Sequence, residues 1–301
     1  MRAPVSRGRR STRREAEHEQ LLRRGTVDHY RDTALYDFEY ADRSNDLSWY
    51  RKLARERAPT EPILELGAGT GRITCPLARD GHSMVALDSM KPMLAALRRR
   101  AKAEGLEGSI RTTVADMRQL PIPDASMGMV ISPFNALMHL YTWQDLLTCF
   151  REVERVLVPG GTFAFDVELP DLEWLTWDED ERYAVTPFTH PETGAKLVYS
   201  TNHRYDPGTQ VCHIKLYYDE APTPGRRFVP PPQPLKLVHL AHRQVFPEEI
   251  RLLVATAGLR LESHTGDFED VALGPGVQSQ VVVARRDEGE TSSEPSPTPS
   301  T

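Results

Sequence analysis

Five short, mostly apolar runs recur between residues 62 and 170: Pro62–Leu66, Ser83–Leu87, Ile110–Ala115, Met127–Ile131 and Thr162–Val167. Between them lie stretches of helical spacing. One continues from about Arg72 to Arg79 and stops at Asp80-Gly81. A second covers Lys91–Glu104. A third, Thr142–Leu157, is amphipathic through Leu146, Leu147, Phe150, Val153 and Val156, and stops at Pro159-Gly160-Gly161. Strands alternating with helices predict an α/β domain on a parallel sheet. Beyond Asp171 the period changes to two: Lys196–Tyr205 and Gln210–Tyr218 flank the turn Asp206-Pro207-Gly208-Thr209, and Lys236–Phe246 follows a proline-rich link. These three runs predict a small antiparallel sheet inserted over the mouth of the first. Helical spacing returns over Pro247–Ala257, and Leu259–Thr265 and Gln278–Ala284 predict a closing antiparallel hairpin.

The ends of the chain lack this patterning. Residues 1–24 are arginine-rich with few apolar positions, apart from a possible helical turn or two over Glu15–Leu22, and residues from about 287 are rich in Ser, Pro and Glu. Neither buries enough apolar surface to offset ordering, so both are expected to be disordered. The stretch Tyr30–Leu53 differs. It carries Tyr30, Tyr36, Phe38, Tyr40, Trp49 and Tyr50, with helical spacing at Leu47, Tyr50 and Leu53. The expected organisation is a basic tail (1–24), a helical lid (25–61), a nucleotide-binding core (62–170), an antiparallel cap (171–246), the rest of the core (247–286) and a second tail (287–301).

Composition narrows the function classes. The chain has 301 residues, is 39% hydrophobic and 27% charged, and carries a net charge of −6, which gives no global case for nucleic acid or an anionic membrane. Cys75, Cys149 and Cys212 lie far apart without a Cys-x-x-Cys pair, so a reduced compartment, no zinc site and no disulfide framework are expected. No apolar run reaches membrane-spanning length, and a cytoplasmic location is the expectation.

The candidate chemistry starts at the first strand. Ile63-Leu64-Glu65-Leu66 runs into Gly67-Ala68-Gly69-Thr70-Gly71-Arg72. A glycine turn between a strand and a helix makes a nucleotide crevice. A dinucleotide fingerprint places a small residue at the third site, where Arg72 stands, and so fits poorly. The string Glu65-x-Gly67-x-Gly69-x-Gly71 instead resembles motif I of class I S-adenosylmethionine (AdoMet) methyltransferases. Leu157-x-Pro159-Gly160-Gly161-x-Phe163 is similar to that family's turn before strand five. The resemblance covers about residues 30 to 286 and implies a seven-stranded Rossmann-like sheet with AdoMet as cofactor and no metal.

By position, Asp88 ends strand two about 20 residues past the glycines, where an acid accepts both ribose hydroxyls; it or Ser89 could equally cap the next helix. The resemblance implies that Ser89 and Met93 belong to a second motif, with Met93 on adenine or in the core. It implies that Asp116 takes the adenine amino group, with Met117 and Arg118 beside it. Ser132 and Phe134 then fall where the family places groups near the reacting methyl. Tyr40-Ala41-Asp42-Arg43 resembles the lid of small-molecule N-methyltransferases, which implies Tyr40 near the sulfonium and Arg43 near the cofactor carboxylate. Asn135 is a candidate for cofactor or substrate. His139 is a candidate general base, since an imidazole titrates near neutrality, or a helix histidine bonded to backbone. In the cap, Tyr199, His203 and Tyr205 are candidates for the acceptor pocket, alongside His213, Tyr218 and His242.

The expected activity is methyl transfer by in-line displacement to a small-molecule amine or hydroxyl. An RNA or protein acceptor reached through the arginine tail, and a non-catalytic AdoMet-binding module, are the alternatives. The sequence leaves the acceptor and the oligomeric state open.

Overall fold

A computed structural model describes residues 18–223 and 225–288. The first and last parts of the two expected tails lie outside the described residues. Residues 18–27 are helical (α1), followed by α2 (Thr33–Glu39) and α3 (Asn45–Arg57). The core then alternates β1 (Ile63–Leu66), α4 (Thr74–Arg79), β2 (Met84–Asp88), α5 (Lys91–Ala103), β3 (Ile110–Val114), β4 (Met127–Ser132), α6 (Trp143–Val156) and β5 (Leu157–Glu168). Strands β6 (Tyr183–Thr189), β7 (Lys196–Asp206), β8 (Val211–Glu220) and β9 (Lys236–Arg243) follow, then α7 (Pro247–Thr256), β10 (Leu259–Gly266) and β11 (Ser279–Arg286).

The large sheet has seven strands in the order β10-β11-β5-β4-β1-β2-β3. All pairs are parallel except those made by β11, which runs antiparallel to both neighbours. In β1, Ile63 pairs with Met84 on one side and Met129 on the other. Because side chains alternate along a strand, β1 serves two cores. Leu64 and Leu66 join the cluster holding Phe150, Phe163 and Ile250; Ile63 joins the one holding Tyr50, Leu53 and Ile73. Strand order reverses between β1 and β4, and a crevice opens at the carboxyl ends of the two strands, where doubly wound sheets hold ligands.

The second sheet, β6-β7-β8-β9, is antiparallel throughout. It has four strands where period-two spacing revealed three. Strand β6 is an edge, mostly exposed, with Pro187 inside it. An edge tolerates proline and needs no apolar alternation, so nothing in its sequence announces it. Helix α2 packs Leu35 on Leu216, Tyr218 and Val238 of this sheet. Lys236 Nζ donates to Asp32 at 2.7 Å, and Thr70 Oγ1 of the glycine loop donates to Asp37 at 2.6 Å. The N-terminal segment thus joins cap to core.

Residues 18–22 form the helical turn expected over Glu15–Leu22, whose first three residues lie outside the described ones, and the helix continues through 23 and 24, where disorder was expected. Helix α1 is held by Thr26 Oγ1 against Tyr141 Oη at 2.7 Å, by half-buried Leu21 and Leu22, and by close backbone approach: a Cβ at Gly25 would lie 2.4 Å from Ala241 Cβ on β9. That contact needs an absent side chain, which a count of apolar residues does not register. Among the described residues, no helix is long and apolar enough to cross a membrane.

Candidate active site

Two cavities meet at the crevice. The first, of about 160 Å³, lies on the glycine loop and the ends of β2 and β3. It is lined by Gly67, Gly69, Asp88, Ser89, Met90, Met93, Asp116, Met117 and Arg118, and is closed by Thr26, Tyr30, Tyr36, Phe134 and His139. The second, of about 400 Å³, lies beneath the cap sheet, between Tyr40, Arg43, Asn135, Glu168, Trp174, Tyr199 and His242. Tyr30, Tyr36 and Phe134 line both, so these three rings form the partition.

Strand ends and glycines position the first cavity. Gly67, Gly69 and Gly71 all have positive φ, which glycine adopts without the steric cost of a Cβ. Nothing lies within 4 Å of a Cβ at Gly69, so its backbone is open to a ligand. At Gly71 a Cβ would sit 2.9 Å from Leu97 Cγ and 3.1 Å from Cys75 Sγ, so this glycine serves packing. Gly71→Ala is expected to cost about 1–3 kcal/mol of stability, measured by denaturant unfolding. An unchanged midpoint would show that the helix shifts freely. Asp88 accepts from Gly69 N–H (2.9 Å, Oδ2) and Met90 N–H (2.7 Å, Oδ1). Burial pushes its carboxyl above the ordinary range, against the pull of these two N–H groups. Each carboxylate oxygen keeps a lone pair, enough for the two hydroxyls of a ribose. The cap and ribose readings of Asp88 are therefore compatible. At the rim, the Arg118 guanidinium pairs with Asp116 at 2.6 Å and holds that carboxyl below its usual range.

The partition rests on a buried network. Phe134 and Asn135 both adopt left-handed backbone, at φ 54° and 64°. Such a turn persists only where its surroundings fix it. Asp166 does so: Oδ1 accepts from Phe134 N–H (3.0 Å) and Tyr50 O–H (2.7 Å), while its carbonyl accepts from Asn135 N–H (3.2 Å). Burial raises the Asp166 carboxyl to about 6, opposed by those hydrogen bonds. Arg43 stacks on the Phe134 ring at 4.2 Å, and Arg72 lies 5.3 Å from it. Both arginines are tied to the buried Asp46, Arg72 through bonds of 2.7 and 2.6 Å and Arg43 through one of 3.3 Å.

Residues 63–161 match a family model described as a methyltransferase domain. The segment contains the glycine loop, Asp88, Asp116, the Phe134 turn and His139. A demethylmenaquinone methyltransferase of Thermus thermophilus is 39% identical over 121 residues, which cover 38% of this chain and 52% of that protein. The chain spans about half the length of the curated relatives it matches. Among solved structures, the CcbJ methyltransferase of Streptomyces caelestis superposes with a TM-score of 0.70 at 24% identity, covering 87% of this chain and 99% of that one. SAM-bound CalS10, an amino pentose methyltransferase of Micromonospora echinaspora, gives 0.55 at 17% identity, covering 84% and 96%. At these identities the likeness is one of fold.

Not every residue singled out from sequence lines the two cavities. Glu65 is buried and accepts from Thr74 O–H, with its carboxyl raised to about 8 by burial. Ala68, Gly71, Arg72 and Ser132 line neither cavity. Within the cap, His203 stacks on Trp174 at 3.8 Å with Nε2 against the Trp174 carbonyl, and it lines neither cavity. Tyr205 also lies outside both, opposite Cys212. Tyr199 and Thr201 line the second cavity, whereas His203 and Tyr205 share their alternating positions on β7 but stand farther along the strand, past the cavity. His139 lines the first cavity. Its Nε2 meets Tyr30 Oη at 2.6 Å, and burial lowers its pKa to about 4. Both facts disfavour it as a base for an acceptor on the other side. Conversely, Glu39, Glu168, Tyr30, Tyr36 and His29 line the sites without having been singled out as site residues. The two tyrosines stood in the aromatic segment. Glu168 carried a usable signal, since it ends β5 at the crevice.

Proposed function

We propose that this chain transfers the methyl group of AdoMet to a small-molecule amine or hydroxyl. The observation that carries this reading is the pair of adjoining cavities with one shared aromatic wall. When bound, AdoMet supplies an electrophilic methyl on a sulfonium. Asp88 would hold its ribose, Met93 and Met117 would flank the adenine, and Gly67 and Gly69 would admit its backbone-contacting edge. Tyr36 and Phe134 offer ring faces suited to a sulfonium, whereas Arg43, expected near the cofactor carboxylate, lines the second cavity and is engaged by Asp46 and Phe134. The work left to the protein is alignment: seating acceptor and methyl in line across the partition can supply about 7–11 kcal/mol without a covalent intermediate. The second cavity is enclosed by the cap and α2, which favours a small acceptor over RNA or a protein surface.

Titration calorimetry with AdoMet and its demethylated product is expected to show binding, with no binding of NAD. Labelled AdoMet is then expected to transfer its methyl to members of a panel of small amines and alcohols. Transfer only to RNA or protein would overturn the small-molecule reading, and AdoMet binding without turnover would favour a regulatory module.

A further inference from the structure

The lining of the second cavity is rich in hydrogen-bond acceptors that have no cation of their own. Glu39 and Glu168 both face it. Among the described residues, no lysine or arginine comes within 4.0 Å of either carboxylate. Glu39 accepts from Tyr218 O–H, and Glu168 accepts from Asn135 Nδ2 at 3.2 Å. Those single neutral bonds leave most of each carboxylate's lone pairs unused. His242 lines the same cavity and is only 8% exposed, yet its ring has no hydrogen-bond partner among the described residues. Burial and the neighbouring His139 and His29 hold it neutral, so it too can accept. Arg43, the one guanidinium at this cavity, is already engaged by Asp46 and the face of Phe134. The remaining walls are the rings of Tyr40, Trp174 and Tyr199.

Two carboxylates and an unpartnered imidazole ask for a ligand that brings positive charge and several N–H donors. A neutral alcohol brings one donor and no charge; a carboxylate or phosphate would be repelled. We propose that Glu39 and Glu168 are specificity-determining residues that, with His242, bind the acceptor as a protonated amine, which passes one proton to one of the two carboxylates before its nitrogen lone pair attacks the sulfonium methyl and the thioether leaves. This rests on the methyl-transfer reading and narrows its acceptor to the amine class. Aromatic walls add to the selection, since ring faces attract a desolvated cation.

Charge-selective binding tests this without turnover. Calorimetry at pH 8 would compare benzylammonium, benzyl alcohol and benzoate, with AdoMet titrated into the same preparations. Wild type is expected to bind benzylammonium at least about tenfold more tightly than benzyl alcohol, and benzoate more weakly than either, as one charge-assisted bond implies. Glu168→Gln and Glu39→Gln, which keep shape and neutral hydrogen bonding, are each expected to erase most of that preference while leaving AdoMet affinity within about threefold. Burial raises Glu39 to about 7, against the Tyr218 hydrogen bond and the Lys236 charge, with Asp32 pushing it further up and His29 beside it. Burial also raises the Glu168 carboxyl, against the Arg43 charge and the Asn135 hydrogen bond and with Asp166 pushing it further up. The preference is therefore expected to shrink from pH 8 to pH 6 as these carboxylates take up protons, and the slope should be smaller in Glu39→Gln than in wild type. Equal binding of the amine and the alcohol by wild type, with AdoMet bound normally, overturns the inference alone. Absence of AdoMet binding overturns the methyl-transfer reading instead.

Discussion

Asp88→Ala is expected to lose AdoMet affinity by at least about 100-fold. Each bond from a ribose hydroxyl to a carboxylate contributes about 1.5–3 kcal/mol, and Asp88 has a free lone pair on each oxygen for two of them. The same substitution removes the acceptors for Gly69 N–H and Met90 N–H, so the glycine loop also loses its tie to β2. Asp88→Asn should fall between, because one oxygen remains and the charge does not. Calorimetry separates affinity from folding if the variants are first shown to melt near wild type. Binding by Asp88→Ala within about threefold of wild type would remove the ribose assignment, since no other acid ends β2 at the cavity.

The largest effect on stability is expected at Asp46. Its carboxylate is fully buried and joins Arg72 and Arg43 beneath Phe134. Burial pushes the Asp46 carboxyl up, but the hydrogen bonds from Arg72 and the charges of Arg72 and Arg43 prevail and hold it below its ordinary value. Asp46→Ala leaves two guanidinium groups without their shared partner in a buried setting. Breaking one side of a buried pair costs about 3–5 kcal/mol, which for a domain of this size lowers Tm by about 6–20 °C. Because the folded-state pKa is depressed, this stabilisation is present at neutral pH and fades as the pH falls into the range where Asp46 is protonated. Asp124→Ala removes a carboxylate that is 78% exposed and pairs with Arg155. Surface pairs contribute about 0–1 kcal/mol, so it serves as the control. A Tm for Asp46→Ala matching that control would show that the arginines find water or other acceptors. Because Arg43 and Arg72 both lie over Phe134, the same variant should also loosen the partition.

Part of this molecule is legible in the chain because local chemistry forces it. Buried parallel strands must be continuous apolar runs, so β1, β2 and β4 stand out. Glycines at 67, 69 and 71 are required by positive φ, and Asp88 and Asp116 are fixed by where their strands end. Those features give the seven-stranded sheet, the crevice at its switch point and the cofactor side of the site. Tertiary structure alone decided the rest. Edge strand β6 is exposed and carries proline, so it follows no pattern, and the seat of α1 on β9 includes a close approach of Gly25 to Ala241 that no apolar pattern shows. Which side chains of β7 reach the second cavity depends on where along the strand the cavity ends: Tyr199 and Thr201 line it, whereas His203 and Tyr205, at equivalent alternating positions, lie past it. The partition gathers Tyr30, Tyr36 and Phe134 from segments about 100 residues apart, and Glu39 and Glu168 converge from a lid helix and a core strand. Backbone conformation and strand identity follow from short-range sterics and burial, whereas the sides of a cavity are set by long-range packing that no local window of sequence contains.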